Sequence, residues 1–197
     1  MPTKFGMTEG RTRLRALYPS EPAEAADLTG LVRRAAAKEP DAFEAIYRMF
    51  YDKVHTYAAV RLRSRDDAAD ATQECFLAVW RGLPRFEYRH QHAFEAWLFR
   101  IARNIVIDRI RRRGREIPTE ELPLGEVVIE FENGVIGGRE VIDLLDRVSV
   151  DQREVLILRF VLDLPLAQVA AITGKSEKAV SALQLRGLER LRKVAIR

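Results

Sequence analysis

Between Phe43 and Ala58, apolar residues recur at steps of three and four: Phe43, Ile46, Tyr47, Phe50, Val54, Tyr57 and Ala58. A period of 3.6 winds such a set onto one stripe of a helix, whereas the period of 2 of a strand would scatter it over two faces. The same spacing returns twice. Thr72, Phe76, Val79, Trp80 and Leu83 share one face of a second segment, which Gly82 and Pro84 end. Phe94, Trp97, Leu98, Ile101 and Ile105 line a third. Long helices with one apolar stripe must bury it against one another, so the expected fold class is all-α. No stretch reads as a strand or hairpin, and no internal repeat is visible.

Helix starts can be read from side chains that accept otherwise orphaned amide hydrogens. Helical signal begins near Leu28 and stops at Glu39-Pro40, because proline disfavours helical geometry in the residue before it. Asp41 with Glu44, and Ser149 with Gln152, have capping-box spacing. Ser64 with Asp67 marks another start, and Pro165 sits where a further helix should begin.

Charge divides the chain. Residues 100–115 hold seven arginines and one aspartate, Asp108. Residues 117–138 then hold five glutamates and no basic residue, with two prolines, four glycines and no clear period, which predicts a flexible acidic linker. The expected organisation is a flexible N-terminal arm (1–27), a helical domain (28–115), the linker (116–138) and a second small helical domain (139–197).

In the second domain, Ala170, Gly174, Val180 and Leu183 fall at offsets 0, 4, 10 and 13. This is the steric pattern of a helix-turn-helix. A small residue lets two crossing helices approach, glycine takes the left-handed turn, and two apolar residues pack the second helix back onto the first. Lys175, Ser176, Lys178, Ser181, Gln184 and Arg186 are then free to point outward, followed by Arg190, Arg192, Lys193 and Arg197. An ordinary helical hairpin would need the small residues but not this basic outer face. The combination points to a helix that enters the major groove of DNA, with the cations on phosphates.

Other classes find little support. The formal net charge of +4 is modestly basic. There is no Gly-rich phosphate loop, no nucleophile–base signature and no metal-ligand set, so no catalysis and no cofactor are expected. His90 and His92 form a His-x-His pair without a third ligand nearby. Cys75, the single cysteine, reads as a small buried residue in a reducing cytoplasm. No signal peptide and no membrane-spanning run is apparent.

Four ordered blocks carry a family resemblance. DAFEAIYRMFYDKVHTYA, DDAADATQECFLAVWRGLPRF and FEAWLFRIARNIVIDRIRRR resemble regions 2.1 to 2.4 of bacterial sigma-70-type factors. DQREVLILRFVLDLPLAQVAAITGKSEKAVSALQLRGLERLR resembles region 4. Without a region 1.1 or a region 3 domain, the layout is similar to that of the extracytoplasmic-function group. The resemblance implies an initiation factor that binds core RNA polymerase through its β′ and β subunits, recognises promoter DNA and assists its melting.

It also implies site residues. The polar face of region 2.2, here Asp67, Asp70, Gln73 and Glu74, would dock on the clamp helices of β′. Charge pattern alone would make it a solvated helix face. Phe86, Tyr88, Arg100, Arg103, Asn104, Arg111 and Arg112 match the regions that hold the minus-10 element. There aromatic rings stack on unpaired bases and arginines follow the backbone. Phe86 and Tyr88 fit base stacking and core packing equally, whereas Phe94 and Trp97 lie on the apolar stripe. The arginines from 109 to 115 suit phosphates or a solvated helix end. The linker is either a segment directed to the RNA exit channel or a plain tether. The helix over 176–188 would read the minus-35 element, although Ser181, Ala182 and Leu183 stand where many members have Lys, Ser and Arg. An inhibitory anti-sigma partner is common in the family, and nothing in the sequence specifies one. The alternative is a helix-turn-helix regulator that binds duplex DNA without polymerase.

Overall fold

A computed structural model describes residues 28–88, 92–113, 128–131, 134–137 and 139–195. The N-terminal arm, His90, Arg115 and most of the acidic linker lie outside the described residues. The N-terminal lobe comprises α1 (Leu28–Ala36), α2 (Pro40–Leu62), α3 (Arg65–Gly82), a single 3-10 turn (Leu83–Arg85) and α4 (Ala93–Arg113). The C-terminal lobe comprises α5 (Arg139–Leu145), α6 (Val150–Leu156), which widens into a π turn (Ile157–Val161), α7 (Leu166–Thr173) and α8 (Glu177–Ala195).

The stripe read from α2 is the core. Ile46, Phe50, Val54, Tyr57 and Ala58 are buried, and Phe43 and Tyr47 pack partly buried at its edge. In α3, Thr72, Phe76 and Val79 are buried and Leu83 follows, with Trp80 half-buried. α4 departs from expectation. Phe94 and Leu98 are fully buried, but so are Phe99, Ala102 and Val106, while Trp97, Ile101 and Ile105 are only partly covered. The reason is that α4 packs against α2 and α3 on one side and α7 on another, so one stripe cannot serve both.

Two of the three capping readings hold. Ser64 Oγ accepts the Asp67 amide hydrogen, and Ser149 with Gln152 forms the complete reciprocal box. The Asp41–Glu44 box does not form. The N-cap of α2 is Glu39, with Pro40 in the first turn, where its missing N–H costs nothing. Glu44 instead pairs with Arg48 one turn on. Pro165 is itself the N-cap of α7 and offers no side-chain bond.

The linker corrects one expectation. Val128–Phe131 (β1) and Gly134–Gly137 (β2) pair antiparallel, with Phe131 opposite Gly134. The alternation in Val-Ile-Glu-Phe and the Asn133-Gly134 pair are hairpin signals that the Pro- and Gly-rich composition of the segment obscured.

The two lobes are in contact. α4 lies against α7, and α2 against the π turn that continues α6. The buried side chains of both lobes form one continuous core.

Candidate polymerase and promoter interfaces

The polar face of α3 is real and partly neutralised from within. Asp70, Gln73 and Glu74 are exposed, and Asp67 is half-buried. Arg109 of α4 reaches across to all three carboxylates. Its Nη2 lies 3.0 Å from Glu74 Oε2, and its Nη1 lies 3.9 Å from both Asp67 Oδ1 and Asp70 Oδ2. The arginine run from 109 suits phosphates or a solvated helix end, and its first residue is engaged by these three carboxylates of α3. Arg111 and Arg112 are exposed as expected, with Arg111 3.9 Å from Asp108.

Beside this face the chain forms a groove that patterning did not reveal. Phe43, Tyr47, Phe76 and Trp80 line it, and Gln73 and Leu77 stand on its rim. The rings support one another: Phe43 and Trp80 lie 4.8 Å apart, Tyr47 and Phe76 4.6 Å. Lys38 Nζ sits 4.2 Å over the Trp80 ring. Leu77 is 54% exposed on an otherwise polar face, and that placement was the signal available in the sequence.

The second set of residues gathers around an aromatic cluster. Phe94 is fully buried. Phe86 is half-buried, with its centroid 4.7 Å from Trp97 and its ring edge-on to Phe94 at 5.7 Å. Tyr88 meets Phe86 edge-on at 6.3 Å. Phe86 and Tyr88 are thus the outer layer of this cluster, partly covered and partly open.

Arg100 and Asn104 are exposed on α4, but Arg103 is not on that open face. Its Nε lies 3.3 Å from Glu154 Oε1 in the opposite lobe, and its side chain is 23% exposed. The helical period did place the three together. The docked C-terminal lobe, invisible to any local pattern, turns Arg103 aside.

The third set lies on the helix-turn-helix. Gly174 ends α7 at φ 69°, ψ 21°, and its N–H bonds Ala170 O. A Cβ there would meet nothing within 4 Å, so the backbone angle and not space demands glycine. Val180 is fully buried, Ala170 is buried and Leu183 packs against the core, as the offsets require. Gly187 permits close approach to α6, where an added Cβ would stand 3.0 Å from Leu156 Cδ1.

Lys178, Ser181 and Arg186 are exposed along α8. The other three outward candidates have local duties. Ser176 Oγ accepts the Ala179 amide hydrogen and caps α8. Lys175 Nζ lies 3.1 Å from Asp151. Gln184 accepts a 3.2 Å bond from Arg159 Nε, which the π turn positions. Leu185, 60% exposed, joins this surface unannounced by charge pattern.

A helical lobe with an acidic face, an aromatic-basic edge and a separate helix-turn-helix is matched by two family models. Residues 46–116 match Sigma-70 region 2, and residues 138–191 match Sigma-70 region 4. The sigma factor BldN of Streptomyces coelicolor, an ECF RNA polymerase sigma factor, is 35% identical over 179 residues, covering 88% of this chain and 67% of BldN. The chain belongs to the ECF family of RNA polymerase sigma factors. As such it directs promoter recognition by RNA polymerase.

Other relatives agree. SigD of Mycobacterium tuberculosis is 31% identical over 201 residues, covering 95% of this chain and 93% of SigD. Among solved structures, CnrH in complex with the cytosolic domain of CnrY is similar at a TM-score of 0.66 and 26% identity, covering 84% of this chain and 94% of CnrH. RpoE of Bartonella quintana, bound to the anti-sigma factor NepR, is similar at 0.61 and 25% identity, covering 78% and 96%. A free-standing regulator would leave the region 2 match without a purpose. No described helix of this sigma factor is long and apolar enough to cross a membrane.

Proposed function

We propose that this sigma factor uses three separate surfaces in the cytoplasm, by binding and without catalysis of its own. Asp70, Gln73 and Glu74, with Asp67 behind them, dock on the clamp helices of the β′ subunit, and the region 4 lobe engages β. Phe86 and Tyr88 receive unpaired bases of the minus-10 element, while Arg100, Arg103, Asn104, Arg111 and Arg112 follow its phosphates. Lys178, Ser181 and Arg186, with Lys175, Ser176 and Gln184 at their flank, read the minus-35 element in the major groove.

The observation that carries this reading is α8. Its inner face is anchored by the fully buried Val180, and its outer face presents two cations and a hydroxyl to solvent. RpoE is solved with a bound anti-sigma factor, NepR, and CnrH with the cytosolic domain of CnrY, which supports an anti-sigma partner for this chain as well. The test is promoter melting, read by permanganate reactivity of unpaired thymines with and without core polymerase. Melting that requires both proteins supports the reading. Duplex binding with no melting under either condition returns the chain to the class of simple regulators.

A further inference from the structure

The boundary between the two lobes holds charge where a passive contact would hold oil. Glu154 of α6 is 4% exposed, and three groups of the N-terminal lobe surround its carboxylate. Tyr57 Oη donates a 2.7 Å hydrogen bond to Oε1. Arg61 Nε lies 3.4 Å from Oε2, and Arg103 Nε lies 3.3 Å from Oε1. The Arg61 and Glu154 side chains are each 5% exposed, so both charges are out of water.

A second contact flanks the first. Arg63, held at φ 54° at the end of α2, forms an ion pair with Asp146 and reaches the Ile142 carbonyl oxygen at 3.5 Å. A third joins Gln168 Nε2 of α7 to Glu95 Oε2 of α4 at 2.8 Å, with Lys53 3.0 Å from the same carboxyl group.

The fit is incomplete. Among the described residues, Arg61 Nε, Arg103 Nε, Glu154 Oε2 and Gln168 Oε1 are buried without hydrogen-bond geometry to any partner. A buried ion pair gives back much of its attraction as desolvation cost, and unsatisfied polar atoms add to that cost. Such a boundary holds while intact and opens when either side is offered a better partner.

We infer that Tyr57, Arg61 and Arg103 form an anion-binding notch on the N-terminal lobe. Glu154 fills it in the closed chain, and a DNA backbone phosphate takes its place when the lobes separate. Glu154 is thereby an internal competitor of DNA that keeps the free sigma factor shut. The DNA half of this inference rests on the proposed promoter role of Arg103. The geometry explains why that residue alone of its helical set is turned from solvent while Arg100 and Asn104 are open. One carboxylate also faces two guanidinium groups, so the closed notch keeps an excess of positive charge that a polyanionic DNA strand, with a phosphate at every nucleotide, can answer. A ligand that needs the open state binds with an apparent affinity reduced by the open fraction, so shutting the lobes suppresses DNA binding without altering the DNA surface.

The full-length protein tests this with two readouts. Donor and acceptor dyes, one on each lobe, report closure, and fluorescence anisotropy of a labelled random-sequence single-stranded DNA reports binding. E154Q keeps shape and removes charge. D146N disturbs the flanking pair with Arg63 and the 2.8 Å pair of Asp146 with Arg153 inside the C-terminal lobe, leaving Glu154 charged, and D143N changes an exposed acid of α5 by the same charge as a control. E154Q should lower transfer between the dyes and tighten DNA binding by about tenfold or more, D146N should do both to a smaller degree, and D143N should do neither. Transfer in E154Q equal to wild type, with wild-type DNA affinity, overturns the inference. Lobes that open with no gain in affinity also overturn the competitor role. If R103A then binds the DNA as wild type does, the fault lies in the promoter reading of Arg103. Equal gains from D143N would assign the effect to net charge and likewise overturn it.

Discussion

The turn between α7 and α8 gives a sharp quantitative test. Gly174 sits at φ 69°, and the Gly174 and Lys175 amides both point to Ala170 O, so the turn cannot relax without losing both bonds. Replacing it with Ala adds a Cβ that touches nothing within 4 Å, which removes steric contact from the account. What remains is the left-handed backbone penalty, about 1–2 kcal/mol for a residue with a Cβ. Against it stands the smaller conformational entropy of the unfolded chain, about 0.4–1 kcal/mol. The net expectation for Gly174→Ala is a loss of about 1 kcal/mol, or about 2–4 °C in melting temperature for a chain of this size. Asn tolerates this region better than Ala, so Gly174→Asn should fall between the two. Calorimetry and urea titration of the three proteins give the order. Ala equal to or more stable than Gly, or Asn less stable than Ala, would refute the backbone argument.

Other outcomes follow from single side chains. Reversing charge with the double variant Asp70→Lys and Glu74→Lys should weaken binding to core polymerase at least about tenfold in a pull-down titration, because the two exposed carboxylates of the docking face change sign; equal binding would remove that face from the interface. Lys178→Ala should change minus-35 preference in a promoter-library selection while leaving core affinity within about twofold; unchanged selectivity would count against α8 as the reader. Burial pushes the Cys75 thiol up to about 12, with Glu74 adding to the shift, so thiol reagents should label the native protein far more slowly than the unfolded one near neutral pH. Rapid labelling of the folded chain would contradict the packing of α3. Burial lowers the His55 pKa, with Asp52 opposing and Arg65 assisting. The unfolded chain therefore takes the proton first as pH falls below about 6.5. The stability that neutral His55 contributes is present above that pH and is lost below it. His55→Gln should flatten that part of a melting-temperature profile, and an unaltered slope would exclude His55 as its source.

The local code was readable and the tertiary code was not. Helix periods in α2 and α3, the Ser64 cap, the Ser149–Gln152 box and the Ala170–Gly174–Val180–Leu183 turn all depend on residues within about four turns of one another. Those signals are written in consecutive sequence. Tyr57 and Glu154 are separated by 97 positions, and nothing near either announces the other. For the same reason the family resemblance groups Arg103 with Arg100 and Asn104, and the sequence leaves Arg109 between phosphate and a solvated helix end. Each is turned by acids on another element, Glu154 in one case and Glu74 in the other. The α2 start misled differently. Two competing signals sat side by side, and Pro40 in the first turn prevailed over the Asp41–Glu44 pair. The β1–β2 pairing was hidden in a segment whose glycines and glutamates argue for a tether.

The central claim is that this chain lends promoter specificity to a polymerase that lacks it. Start-site mapping of transcripts made by bacterial core RNA polymerase on a promoter library, with and without the purified protein, addresses it directly. The account predicts discrete start sites that appear only when the protein is added and that fade with the Asp70 and Glu74 reversals. Transcripts whose start sites are the same in its presence and absence would contradict it.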